Sequence, residues 1–354
     1  IRRQRQMCIR DSFIDYAKTH YYLYKEKDKD GELNPEESLY QLFQVSLNNP
    51  EAIWQTSKNS WGDVGGEGRE RRCTPRAIYS GFGCVGVLQE AIDDFLMSDG
   101  KSIHESDLYT EEGIGEDGIP NMYKNREPRF YQDITYSGKT WQKTTKQIYF
   151  YKGSGDDNSK ADMSYSGYLL YKGMNRDLLN QGSNAKSKFR AGMLFRLADF
   201  YLLYAEALNQ LTTTHAITLP TGESYSLSRD VDEMAKAFNQ VRYRAGLPGL
   251  TQAQLESPTE MFEQIKRERM VEFLGEGRRF YDVRRWGIYE DVDSEPIMGL
   301  NIAANEFGGF YQRTVVDEKN YRDRVVHRKL LFLPISKSEL RKVELLDQNP
   351  GYNN

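Results

Sequence analysis

The chain has 354 residues, enough to bury a sizeable core, and its 48 basic and 52 acidic side chains leave a formal net charge of −4. This near balance argues against the one-sided basic surface of a nucleic-acid binder. No apolar run reaches the roughly eighteen residues of a membrane-spanning helix.

In chain order, IRRQRQMCIRDS at 1–12 resembles translated sequencing-adapter read-through and is set aside as a scar; no signal peptide is visible. DKDG at Asp28 to Gly31 opens like a calcium loop. Leu33 stands where such a loop needs glycine and Leu39 where it needs a bidentate glutamate, so a solvated turn is expected. Residues 48–188 are rich in Gly, Tyr, Asn and Ser, with one good helix expected near Leu88 to Met97. A stretch of that length is too long for a connection, and function is expected there. GFGCVG at Gly81 to Gly86 satisfies a dinucleotide-binding pattern but lacks a convincing buried strand before it, so it reads as a glycine turn leading into a helix. With Cys8 in the scar, Cys73 and Cys84 remain, in no zinc or redox spacing; a disulfide and two buried thiols are the open alternatives. GDDNSKAD at Gly155 to Asp162 is expected as a solvent-exposed hairpin tip, with weak cation binding as the other reading.

Helical periodicity takes over in the C-terminal half. Phe189 to Leu211 predicts one long helix. Asp230 to Ala245 predicts a second, stopped by Gly246 and Pro248, and Pro258 to Leu274 a third, broken by Gly275 and Gly277 before a shorter helix carrying Arg278 to Trp286. The fold expected is mainly α: tetratricopeptide-like helical hairpins forming a scaffold, beside a loop-rich irregular lobe carrying a few short strands. Within Glu268 to Gly287, Arg269 and Glu276 fall on the apolar face of the wheel, and Arg278, Asp282 and Arg285 are spaced for pairing. Charges on a buried face must be paired, so this stretch predicts an internal ion-pair seam. His20, His104, His215 and His327 share no metal-ligand spacing and no Gly-x-Ser-x-Gly motif occurs. Neither metal, cofactor nor catalysis is expected.

The Arg269 to Gly287 stretch, FRLADFYLLYAEALN at Phe195 to Asn209, NQVRYRAGLPGL at Asn239 to Leu250 and LFLPISKSEL…DQNPGY at Leu331 to Tyr352 resemble the SusD-like (RagB/SusD) glycan-binding lipoproteins of Bacteroidota outer membranes. NNPEAIW at Asn48 to Trp54, DDFLMSDGK at Asp93 to Lys101 and NREPRFYQDI at Asn125 to Ile134 are similar to that family's internal landmarks, in order. The resemblance covers residues 13–354, with 48–188 as the loop-rich lobe and 189–354 as helical repeats and C-terminal signature. It implies a non-catalytic surface protein that captures oligo- or polysaccharide and passes it to a SusC-like TonB-dependent porin. A lipid anchor on the extracellular face of the outer membrane goes with that role. A peptide-binding or purely capping subunit of such a transporter is the alternative.

A sugar site needs flat aromatics for the apolar face of the ring and bidentate polar groups for its hydroxyls. Ser57 to Phe82 supplies Trp61 and Tyr79 among glycines, with Asn59, Asp63, Arg69 and Arg76 nearby, and the resemblance implies that this region borders the glycan surface. Packing of Trp61 under its own loop is the competing reading. A second candidate is NEFGGFYQ at Asn305 to Gln312, where Phe310 and Tyr311 bind ligand or are buried against the scaffold or the porin. Trp54 is expected in the core.

Overall fold

The computed structural model describes residues 19–45, 47–59, 68–77, 81–142, 144–160, 163–177, 188–316, 324–343 and 345–352. Trp61, Asp63 and Tyr79 lie outside these residues, and Asn59 is described only as backbone at the end of a strand.

The helical scaffold follows its sequence signals closely. In the Leu197–Asn209 helix, Leu197, Ala198, Leu202, Ala205 and Leu208 form one buried stripe. The helix packs on Val231–Arg244, which buries Met234, Phe238 and Val241. Each such side chain contributes about 1.5–3 kcal/mol of burial. Asp230 caps the second helix by accepting from the Glu233 amide, and the helix ends at Ala245 with Gly246 at φ +78°. Pro258–Glu272 starts on a Ser257 cap with proline in its first turn, and Arg278–Arg285 follows after Gly277 at φ +79°. Together these helices enclose an apolar core that includes Phe238, Met261 and Ile265.

The loop-rich part is held differently. All sheets among the described residues are two-stranded, and the pairings are antiparallel, which removes the parallel sheet that a dinucleotide fold would need around Gly81 to Gly86. Short helices at Gln89–Asp94 and Pro128–Asp133 surround a second, aromatic core. There Phe130 stacks on Tyr136 with ring centroids 5.2 Å apart and on Tyr123 at 6.0 Å.

Several expectations need correction. The segment expected as helix from Phe189 begins instead as the strand Ala191–Arg196, paired with Ala52–Asn59 through several bulges. Gly192 explains part of this, since glycine costs about 1 kcal/mol inside a helix and its amide here donates to Thr56 Oγ1 at 3.0 Å. Trp54 is not core: it is 60 % exposed and stacks on Phe195 at 6.0 Å. Asp156, Asp157 and Asn158 are buried rather than at an exposed tip, because the Asp156 carboxylate accepts from the Ala77 amide at 2.7 Å and Asp157 accepts from Gly153 and Ser159. Cys73 and Cys84 are both free thiols; only Cys73 is buried. DKDG is the expected exposed turn, closed by Asp28 Oδ1 accepting from the amides of Asp30 and Glu32.

The arginine-rich stretch is an ion-pair seam, and it extends further than its own sequence. Arg269 bridges Asp199 at 2.8 Å and Asp282 at 2.9 Å, and Arg285 pairs with Asp282 at 2.7 Å. Arg278 pairs with Asp199 at 3.0 Å rather than within its own helix. Beyond it lies a fully buried network. Glu272 accepts from Arg196 at 2.7 Å, from Arg129 at 3.1 Å and from Arg244, while Glu51 accepts from Arg196 at 2.8 Å and Arg244 at 3.0 Å. Arg129 also holds Glu127 and Glu268, each at 2.5 Å, and Lys172 pairs with Glu276 at 2.9 Å. Burial alone would push the Glu276 carboxyl up, but Arg196 and Lys172 outweigh it and hold its pKa at about 2.

Candidate functional site

The exposed chemistry of the loop-rich part gathers around Tyr149, Tyr151, Glu306, Phe307 and Tyr311. The segment Gln147 to Tyr151 alternates: Ile148 and Phe150 are buried in the aromatic core, so Tyr149 and Tyr151 point the other way, half-buried. Their rings sit 5.6 Å apart at 51°. Tyr149 is fixed by donating to Gln147 Oε1 at 2.6 Å, and Gln147 in turn donates to the Asp117 carbonyl at 3.3 Å.

The turn Glu306–Phe310 completes the surface. Gly309 has φ +104°, which a side chain rarely adopts, and this allows the chain to fold back so that the Asn301 amide donates to the Phe310 carbonyl at 3.0 Å. The turn is tied to the tyrosine segment by the Lys152 amide donating to the Ala304 carbonyl at 3.0 Å. Its two phenylalanines have opposite fates. Phe310 is fully buried and edge-on to Tyr151 at 6.2 Å, whereas Phe307 is 90 % exposed. Glu306 lies among three phenols: Tyr311 donates to it at 3.4 Å, and its charge, after burial, helps push the Tyr149 and Tyr151 hydroxyls above their ordinary range. Tyr311 itself is raised by burial, with Ser137 opposing and Glu306 adding.

This arrangement offers an exposed flat apolar ring, phenolic hydroxyls that donate and accept, and a carboxylate acceptor, which is what a pyranose face with its rim of hydroxyls requires. Among the described residues no cluster of His, Cys, Asp and Glu could hold a metal ion. A separate cleft of about 280 Å³, lined by Tyr21, Tyr22, Leu23, Lys25, Tyr201 and Gln240, contains none of the residues singled out from the sequence.

The sequence-predicted residues distribute as follows. Tyr311 lies beside Glu306, packed edge-on to Tyr123 at 6.5 Å. Arg76 is exposed on a loop whose next residue, Ala77, holds Asp156; the Asp156 amide in turn donates to the Tyr149 carbonyl at 3.3 Å. The end of the Ser57 to Phe82 stretch thus abuts the tyrosine segment. Arg69 goes elsewhere: its guanidinium stands beside Gly275. Tyr149, Tyr151, Glu306 and Phe307 were not singled out, although the alternation in QIYFY and the double glycine after Phe307 were readable signals.

A comparison with curated proteins finds no match. Among solved structures, a SusD-like protein of Bacteroides fragilis is 25 % identical with a TM-score of 0.70, covering 97 % of this chain and 61 % of its own. A SusD-like carbohydrate binding protein of the same species is 20 % identical with a TM-score of 0.62, covering 86 % and 56 %. Surface glycan-binding protein A of Bacteroides fluxus is 19 % identical at 0.50, covering 99 % and 59 %. The chain therefore spans about three fifths of the length of these solved relatives. A family model described as the SusD family matches residues 50–352, and the chain belongs to that family.

Proposed function

We propose that this chain is the non-catalytic glycan-binding part of a nutrient importer, capturing oligo- or polysaccharide at the cell surface for a SusC-like transporter. The observation that carries the reading is the exposed Phe307 ring, next in the chain to Glu306, whose carboxylate accepts from Tyr311 and faces the Tyr149 and Tyr151 phenols, in a chain of the SusD family. Relatives described as carbohydrate-binding and glycan-binding support it. A lipid-anchored position on the outer membrane belongs to the same proposal; no described helix is long and apolar enough to cross a membrane. Trp61, Tyr79, Asn59, Asp63 and Arg76 remain proposed contributors, and Arg69, turned toward Gly275, a weaker one.

The test is affinity electrophoresis or calorimetry against a panel of soluble polysaccharides, with Phe307→Ala and Trp61→Ala in parallel. Selective binding that Phe307→Ala abolishes without moving the melting temperature is expected. A capping subunit draws support from a different feature, the exposed Phe332, Leu333 and Leu345 of the C-terminal arm. Under that reading no polysaccharide binds, and a Leu333→Ser, Leu345→Ser double variant loses the transporter instead.

A further inference from the structure

The charges around the aromatic strip are mostly of one sign. Glu306 lies within it. The segment Glu105 to Gly118, which reaches the strip where Gln147 bonds the Asp117 carbonyl, carries Glu105, Asp107, Glu111, Glu112, Glu116 and Asp117 and no lysine or arginine. Recognition of an anionic sugar needs the opposite: an arginine fork, or an ammonium held in place, with unspent donors facing the ligand.

Among the described residues the cations of this region are committed or solvated: Arg76, next to the Ala77 amide that holds Asp156, is exposed and has a partner of its own. Arg313 places its fork on Glu111 at 2.9 Å and on Asp93, with a further bond to the Tyr109 hydroxyl at 3.1 Å. Lys124 is held by Asp117 at 3.0 Å. Lys139 turns inward, donating to the carbonyls of Tyr131 at 2.6 Å and Ile134 at 2.7 Å and lying over the Tyr171 ring. Lys146 and Lys152 flank the tyrosines but are exposed, and a solvated ammonium on a flexible stem is screened by salt. The acceptors, by contrast, are fixed: Glu306 is bonded by Tyr311, and the 105–118 segment is fastened through Arg313 and Lys124.

We propose that the strip formed by Tyr149, Tyr151, Phe307 and Glu306 selects uncharged saccharides and discriminates against those bearing uronate or sulfate. This rests on the glycan-binding reading above and adds the class of ligand. Neutral hydroxyls donate to Glu306 and to the phenolic oxygens, whereas an anion in that position meets a fixed carboxylate, and Arg313 is already spent on Glu111 and Asp93.

The experiment compares matched oligosaccharide pairs: galacto- with galacturono-oligosaccharides, manno- with mannurono-oligosaccharides, and a neutral galactan with its sulfated form. Each is titrated calorimetrically into the wild type, Glu306→Gln and Phe307→Ala at low and at moderate salt. The expected result is that at least one neutral member binds and its anionic partner binds about tenfold or more weakly. The gap narrows in Glu306→Gln and with added salt, and Phe307→Ala loses both members. Equal or tighter binding of the anionic member, still abolished by Phe307→Ala, overturns the charge selectivity and leaves glycan binding intact. Absence of binding to every probe refutes the glycan-binding reading, and the selectivity falls with it.

Discussion

Replacing Glu272 by glutamine tests whether the buried charge network holds the fold. Glu272 is 2 % exposed and accepts from three guanidinium groups: Arg196 at 2.7 Å, Arg129 at 3.1 Å, and Arg244. Glutamine keeps the shape but removes the charge and turns an amide donor toward at least one guanidinium, leaving a donor facing a donor. Arg244 then retains only Glu51 of its two carboxylates, at 3.0 Å. Removing one partner of a buried ion pair costs about 3–5 kcal/mol. Unfolding entropy for 354 residues is about 0.7 kcal/mol per degree, so the melting temperature should fall by about 4–7 °C. Calorimetric melts at neutral pH measure this, with Glu233→Gln as control, because the Glu233–Lys236 pair is exposed and screened by solvent. Acid adds a second readout. Burial raises the Glu272 pKa, but Arg244, Arg196 and Arg129 outweigh it and hold it well below the ordinary 4.5. A depressed carboxylate contributes stability that is complete above its ordinary value and lost as pH falls toward the folded one, so the gap between variant and wild type should shrink on acidification. A melting temperature within about 1 °C of wild type at neutral pH, or a gap as wide at about pH 3 as at neutral pH, would refute the reasoning.

Two further predictions concern single positions. Gly246→Ala should destabilise the fold by more than about 1 kcal/mol, since φ is +78° and the added Cβ would lie 2.8 Å from Pro35 Cγ; an unchanged denaturant midpoint would contradict this. A maleimide should label Cys84 in the folded protein within minutes and spare Cys73, which is 1 % exposed and whose thiol burial pushes up to about 12; equal labelling of both before denaturation would count against the packing described.

The helices that were legible in the sequence are those whose ends carry their own stop and start chemistry. Asp230, Ser257 and Gly246 are local signals, and the helices end within a residue or two of them. Phe189 to Arg196 was misread because its strand partner, Ala52–Asn59, is more than a hundred residues away and periodicity carries no trace of it. The ion-pair seam was predictable as a category, because charge on an apolar stripe must be paired. Its partners were not: Asp199 and Glu206 come from an element far from Arg269 to Gly287 in the chain. In the turn Asn305 to Gln312 the sequence leaves ligand contact and burial both open for Phe310 and Tyr311 and does not single out Phe307. Phe307 and Phe310 differ only in position relative to Gly308 and Gly309, and the positive φ of Gly309 decides which ring turns inward.

The network and the aromatic strip are connected by one short helix, and this determines how the site can behave. Pro128–Asp133 places Arg129 on Glu268 and Glu272 of the scaffold helix, while its Phe130 enters the aromatic core against Tyr123 and Tyr136. Tyr123 in turn packs on Tyr311, beside Glu306. Lys172 adds a second clamp by donating to the Glu272 carbonyl at 2.7 Å. A buried network satisfied only when both parts are in register favours one arrangement of lobe on scaffold, since a slip would leave several charges buried and unpaired. The strip is therefore presented ready-made: Tyr149 is held by Gln147 and Tyr311 by Glu306, and Phe307 is exposed. A preformed open platform costs little ordering on binding but covers only one side of a ligand. Under the proposed function that combination gives modest affinity and fast release, which suits a protein that must hand its ligand on.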